Sequence, residues 1–204
     1  MSTKQTFGII DGVYEGPEHW EKGLDLRKYK DTLISLGNLK AVGGCLYLRG
    51  CTSLKTLGNL ETAGGGLYLD GCSRLTTLGN LEKVGGCSNL RGCMSLKTLG
   101  NLETAGWSLD LRDCTNLTTL SKLKALVWSL DLRGCVNLTS LGVLKTLRDT
   151  VWFNVSTRVP LKEVQKKVKY YSSLQAHEAL NIITSQEVQE VPLYRNILMK
   201  ILQN

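Results

Sequence analysis

Seven cysteines and two histidines are the residues of this chain with the most readily recruited chemistry. Thiolates and imidazoles hold zinc, a cysteine beside a histidine can act as a nucleophile, and paired thiols form disulfides. Spacing decides among these uses. Five of the cysteines, Cys51, Cys72, Cys93, Cys114 and Cys135, recur every 21 residues, no two form a C-x-x-C pair, and His19 and His177 lie outside the repeated region. One thiol per repeat reads as a small buried side chain beside a turn, and neither a metal nor a cofactor is expected. Cys45 and Cys87 fall at another phase, on the solvent face of the strands, and are the candidates for accessible thiols. The Gly-Gly pairs also recur at this period, as turn chemistry does, and none leads into Gly-Lys-Ser/Thr. Nucleophile, base and orienting group are not assembled anywhere, so no enzymatic activity is expected.

The elements that position these residues come from the same period. Leu36, Leu57, Leu78, Leu99, Leu120 and Leu141 form one column, and Leu39, Leu60, Leu81, Leu102, Leu123 and Leu144 another. Within each unit the alternation Leu46, Tyr47, Leu48, Arg49 has period two, which predicts a half-buried strand with its leucines inside. Gly50 turns the chain, Cys51, Leu54, Leu57 and Leu60 point back inward, and Gly43-Gly44 closes the circuit. One unit cannot bury such a set alone. Stacked units can, building a continuous core and a parallel sheet with ~4.8 Å between strands.

The pattern L-x-L-x-x-C-x-x-L, repeated at this spacing, resembles the leucine-rich repeat family, and the glycine pair before the strand is similar to the short repeats of bacterial and phage members. The resemblance implies an α/β leucine-rich-repeat solenoid with a parallel sheet on its concave face and mostly turns or 3-10 segments on the convex side. Residues 1–23 are expected to form an N-terminal cap, 24–154 about seven coils, and 155–204 a C-terminal α-helical cap.

Function is expected on the outward face of the strands, at Arg27, Tyr47, Arg49, Tyr68, Asp70, Asn89, Arg91, Asp110, Arg112, Asp131, Arg133 and Trp152. Tyr, Trp and Arg are the residue types enriched at binding hot spots. The expected partner is a protein with an acidic or mixed-charge surface, docked in the concave face as the resemblance also implies; one concrete version is a bacterial or phage binder that inhibits a host protein. The formal charge of +7 leaves a nucleic-acid-binding reading open, against which the aspartates alternating with the arginines would oppose a phosphate backbone. A third reading is a scaffold or homodimer formed through the last helix, with Leu193, Ile197, Leu198, Ile201 and Leu202 on its apolar face. Trp107 and Trp128 replace the second glycine of the pair, and their indoles are expected to cover the core there. Neither a signal peptide nor a membrane-spanning run is recognised at the sequence level, and the expected location is cytoplasmic.

Overall fold

The computed structural model describes residues 7–144 and, beyond them, the backbone of two short strands, Thr146–Leu147 and Val151–Trp152. The chain winds as a parallel β-solenoid. Two sheets of seven strands each run its length, every strand two residues long and paired with its equivalents one coil before and one coil after. The first sheet is the one the leucine alternation predicts: Leu24–Asp25, Leu46–Tyr47, Leu67–Tyr68, Ser88–Asn89, Leu109–Asp110, Leu130–Asp131 and Val151–Trp152. Pairing is in register throughout, as in Leu46 with Leu67 and Tyr47 with Tyr68.

The second sheet corrects an expectation. Ala41–Val42, Thr62–Ala63, Lys83–Val84, Thr104–Ala105 and Ala125–Leu126 lie in the return path that the sequence assigns to turns, yet they form strands and extend a sheet begun by His19–Trp20. Strand pairing there needs only one inward residue per coil, and Val42, Ala63, Val84, Ala105 and Leu126 supply it. A third, thinner ladder of single bridges joins Ser35 to Thr56 and Thr77 through Thr98 and Thr119 to Ser140. Each of these hydroxyls also accepts a hydrogen bond from the backbone N–H two residues on, at Gly58 for Thr56 and Gly79 for Thr77, closing the next bend. Among the described residues the one helical segment is a 3-10 turn, Arg27–Tyr29, because returns of this length, broken by glycines at positive φ, leave no room for an α-helix. The expected C-terminal helices, with Leu193, Ile197, Leu198, Ile201 and Leu202, lie outside the described residues. Among those residues, no helix is long and apolar enough to cross a membrane.

The core is a stack of leucines. Leu46, Leu48, Leu54, Leu57 and Leu60 are fully buried, and the same holds coil after coil. Cys51, Cys72, Cys93, Cys114 and Cys135 are buried and free, as the spacing predicts. Four of these thiols donate to a strand-end carbonyl of the preceding coil, Cys72 to Leu48 at 3.2 Å and Cys135 to Leu111 at 3.1 Å among them. Cysteine therefore fills a small space and adds a second hydrogen bond to a carbonyl that already accepts from a backbone N–H, as that of Leu48 does from Cys51 at 3.0 Å. Burial pushes the Cys51 thiol up to about 11 and those of Cys93 and Cys135 up to about 12, so they stay protonated.

The glycine pairs serve close approach rather than unusual dihedrals. A Cβ on Gly64 would stand 2.3 Å from the carbonyl oxygen of Gly43, and one on Gly85 would stand 2.1 Å from that of Gly64. At these corners, between the two sheets, a side chain would not fit between one coil and the backbone of the coil before it. At the N-terminal end the hairpin Gly8–Ile10 with Val13–Glu15 folds over the first coil, and Phe7 packs on Tyr14, Trp20 and Tyr29 with ring centroids 5.5–6.0 Å apart.

Candidate binding surface

The outward residues of the first sheet form parallel rows because the strands stack in register. Arg27, Arg49, Arg91, Arg112 and Arg133 all lie on this face, and each has a carboxylate within ion-pair distance. Arg27 binds Asp25 and Arg133 binds Asp131, both at 2.6 Å. Arg112 binds Asp110 at 2.6 Å and reaches Asp131 in the next coil at 3.5 Å. Arg49 crosses to Asp70 at 2.7 Å, and Arg91 to Asp113 at 3.5 Å. The aspartates at 25, 110 and 131 also accept a hydrogen bond from the backbone N–H of the arginine two residues on, so the same carboxylate shapes the turn and fixes the guanidinium. Burial alone would push the Asp110 carboxyl up; the hydrogen bonds from Arg112 outweigh it and hold it below the ordinary value.

Asp113 was missed by the sequence reading. It takes the place that Gly50, Gly71, Gly92 and Gly134 hold in other coils, at φ 62°, and its departure from that column is the signal that could have found it. Aspartate is among the few non-glycine residues that adopt this conformation, and it places a carboxylate beside Arg91.

Aromatic side chains form the other component of the surface. Tyr47 and Tyr68 stack with centroids 5.0 Å apart and planes within 4°, and the Arg27 guanidinium lies 5.4 Å from the centre of the Tyr47 ring. The Tyr68 ring folds back over Gly66: a Cβ there would stand 2.9–3.0 Å from three of its atoms. Cys45, expected on the solvent face, is half-buried, and its Sγ accepts a hydrogen bond from the N–H of Gly66 at 3.2 Å. Cys87 is half-buried as well. Asn89 behaves differently from the tyrosines of its column, since its Oδ1 accepts from the N–H of Arg91 and draws the side chain along the strand. Trp152 is in register with Asp131 at the end of the row.

Trp107 and Trp128 do not cover the core. Each is 56% exposed, and they stack on one another with centroids 6.0 Å apart. The core beneath is already sealed in coils that carry glycine at this position, where Leu67 and Val84 are buried without such a cover. The N–H of Trp107 reaches the carbonyl of Gly86 at 3.4 Å, and that of Trp128 the carbonyl of Trp107 at 3.2 Å.

No group of three or more histidine, cysteine, aspartate or glutamate residues able to hold a metal ion occurs among the described residues. Compared with protein-family models, with curated proteins and with solved structures, the chain matches none.

Proposed function

We propose that the chain is a non-enzymatic protein-binding module of leucine-rich-repeat type that docks a protein partner on the outward face of its first sheet, in a cytoplasmic setting. The observation that carries this reading is the charge balance of that face. Five arginines are met there by five aspartates, at 25, 70, 110, 113 and 131. A polyanion gains its affinity from unmatched cations, whereas a mixed-charge protein surface can exchange pairs with such a grid. The rows of arginine, aspartate and tyrosine sit on a rigid frame, which lowers the ordering cost of binding. The bacterial or phage inhibitor version of the proposal rests on the resemblance of the repeat.

The test is capture from a lysate of the source cell, read by mass spectrometry, with three baits. The wild type and a control carrying Lys55→Glu and Lys97→Glu, outside the first sheet, are expected to retain one protein in common that Arg49→Glu with Arg91→Glu loses. The same catch on all three baits would refute the docking face. A labelled oligonucleotide is expected to bind no tighter than high-micromolar at physiological salt; a tight, steeply salt-dependent complex would turn the reading to nucleic acid.

A further inference from the structure

One arginine of the outward face lacks the carboxylate that others carry in their own strand. Two positions before Arg27, Arg112 and Arg133 the residue is aspartate, and the pair closes the same way each time. The aspartate Oδ1 accepts from the arginine backbone N–H and from its Nε, and Oδ2 accepts from Nη2 at 2.6 Å. Arg91 has Asn89 at that position. The Asn89 Oδ1 accepts from the Arg91 backbone N–H at 3.1 Å, as the aspartates do, which leaves the carboxamide NH₂ in the place of their second oxygen. An NH₂ donates and cannot accept from a guanidinium, so the pair does not close within the strand. Arg91 reaches Asp113 instead, at 3.5 Å, with both side chains more than half exposed. Arg49, whose strand also lacks the aspartate, is held at 2.7 Å by Asp70. Arg91 is therefore the most loosely paired of the five.

Two donors, the Arg91 guanidinium and the Asn89 NH₂, thus stand on the outward face where the strands of Arg112 and Arg133 pair a donor with an acceptor. We propose that they bind one carboxylate of the protein partner, from an aspartate or glutamate side chain, which completes from outside the pair that Asp110 and Asp131 complete from within. The inference rests on the protein-binding reading and names its anchor. Asp113 is the internal competitor. It stands at φ 62°, where neighbouring coils have glycine, and holds the Arg91 guanidinium in a loose, exposed pair that a partner carboxylate can exchange. A single negative charge suits this site. Asp110 is in register with Asn89 and Asp113 faces Arg91, so a phosphate dianion would bring more charge than Arg91 can match.

The α-N-methylamide of N-acetylaspartate, which carries one side-chain carboxylate, serves as the probe, titrated into the full chain and followed by the Nε–H signals of the arginines. Binding with a Kd on the order of 10 mM is expected for one charge-assisted contact in water. The Arg91 signal should move at least about threefold further than those of Arg27, Arg112 and Arg133, whose carboxylates are already in place. Asn89→Asp copies the strand of Asp110 and Arg112, supplies the carboxylate from within, and should weaken the probe at Arg91 at least about tenfold. Asp113→Gly, which places there the glycine of the neighbouring coils and removes the competitor, should tighten it about two- to threefold. Equal movement of all five arginines, or unchanged binding by Asn89→Asp, overturns the proposal, and no gain in Asp113→Gly overturns the part given to Asp113. Methyl phosphate binding at Arg91 more tightly than the probe overturns the assignment to a carboxylate side chain. The site is read with a small carboxylate and the docking face by capture, so either can fail while the other stands.

Discussion

Replacing Ser88 by leucine should make this protein more stable. Ser88 is the one buried polar residue in the described core, 1% exposed, and its Oγ has no hydrogen-bond partner. Its register neighbours are Leu67 and Leu109. The backbone has not closed in around the smaller side chain: the Leu67 N–H reaches the Cys87 carbonyl at 2.9 Å and the Ser88 N–H reaches that of Ser108 at 2.8 Å, the same spacing as the all-leucine coils. The backbone spacing of a leucine coil is therefore kept, and a leucine at this position is expected to fit between Leu67 and Leu109. Removing the unpaired hydroxyl is worth about 1–3 kcal/mol, and three additional buried carbons contribute about 2 kcal/mol at ~0.8 per methylene. Imperfect fit takes back about 1–3 kcal/mol, which leaves a net gain of about 2 kcal/mol. For a chain of this length that is a rise in Tm of roughly 4–8 °C, readable by calorimetry or circular dichroism. Ser88→Ala, which only removes the hydroxyl, should gain about 1 kcal/mol. Wild-type or lower Tm for both variants would refute the reasoning, because it would mean the hydroxyl is satisfied and the space filled.

Other outcomes follow from the same geometry. Gly85→Ala should cost roughly 2 kcal/mol or more, since its Cβ would meet the Gly64 carbonyl at 2.1 Å, whereas Gly50→Ala should cost about 1 kcal/mol, its φ of 72° being disfavoured but its surroundings open; urea unfolding of the pair measures both. Iodoacetamide at pH 8, followed by intact mass, should modify Cys45 and Cys87 in the folded chain and leave Cys51, Cys72, Cys93, Cys114 and Cys135 untouched until denaturant is added. Because Asp110 is held below its ordinary value of 3.8, its pairing with Arg112 contributes stability that is full above that value and lost as pH falls through the lower folded one. Asp110→Asn should therefore flatten the fall in Tm below pH 4, and an unchanged acid limb would count against that pairing.

Much of the fold was legible in the residues. The inward columns of leucine and cysteine and the alternation at Leu46 to Arg49 gave the coil, its first sheet and the buried thiols, because a side chain's face in a strand follows from its parity. The second sheet was not legible: Thr62–Ala63 and Lys83–Val84 carry a single inward residue each, too short a run for a period to register. The site was legible only in part. The outward rows could be named, but the partner of each arginine could not, since Arg49 pairs across coils with Asp70 while Arg112 pairs within its own strand with Asp110.

Sequence by itself thus determined which residues are inside, which are outside, and that copies must stack, since burial depends on local periodicity. Tertiary structure decided what the outward residues do to one another. Whether Arg49 and Arg91 meet a carboxylate, and whether Trp107 seals the core or stands off it against Trp128, depend on distances between residues about a full coil apart. Those distances are fixed by the approach of glycine backbones at the corners and by the hydrogen bonds between coils, neither of which any single repeat contains.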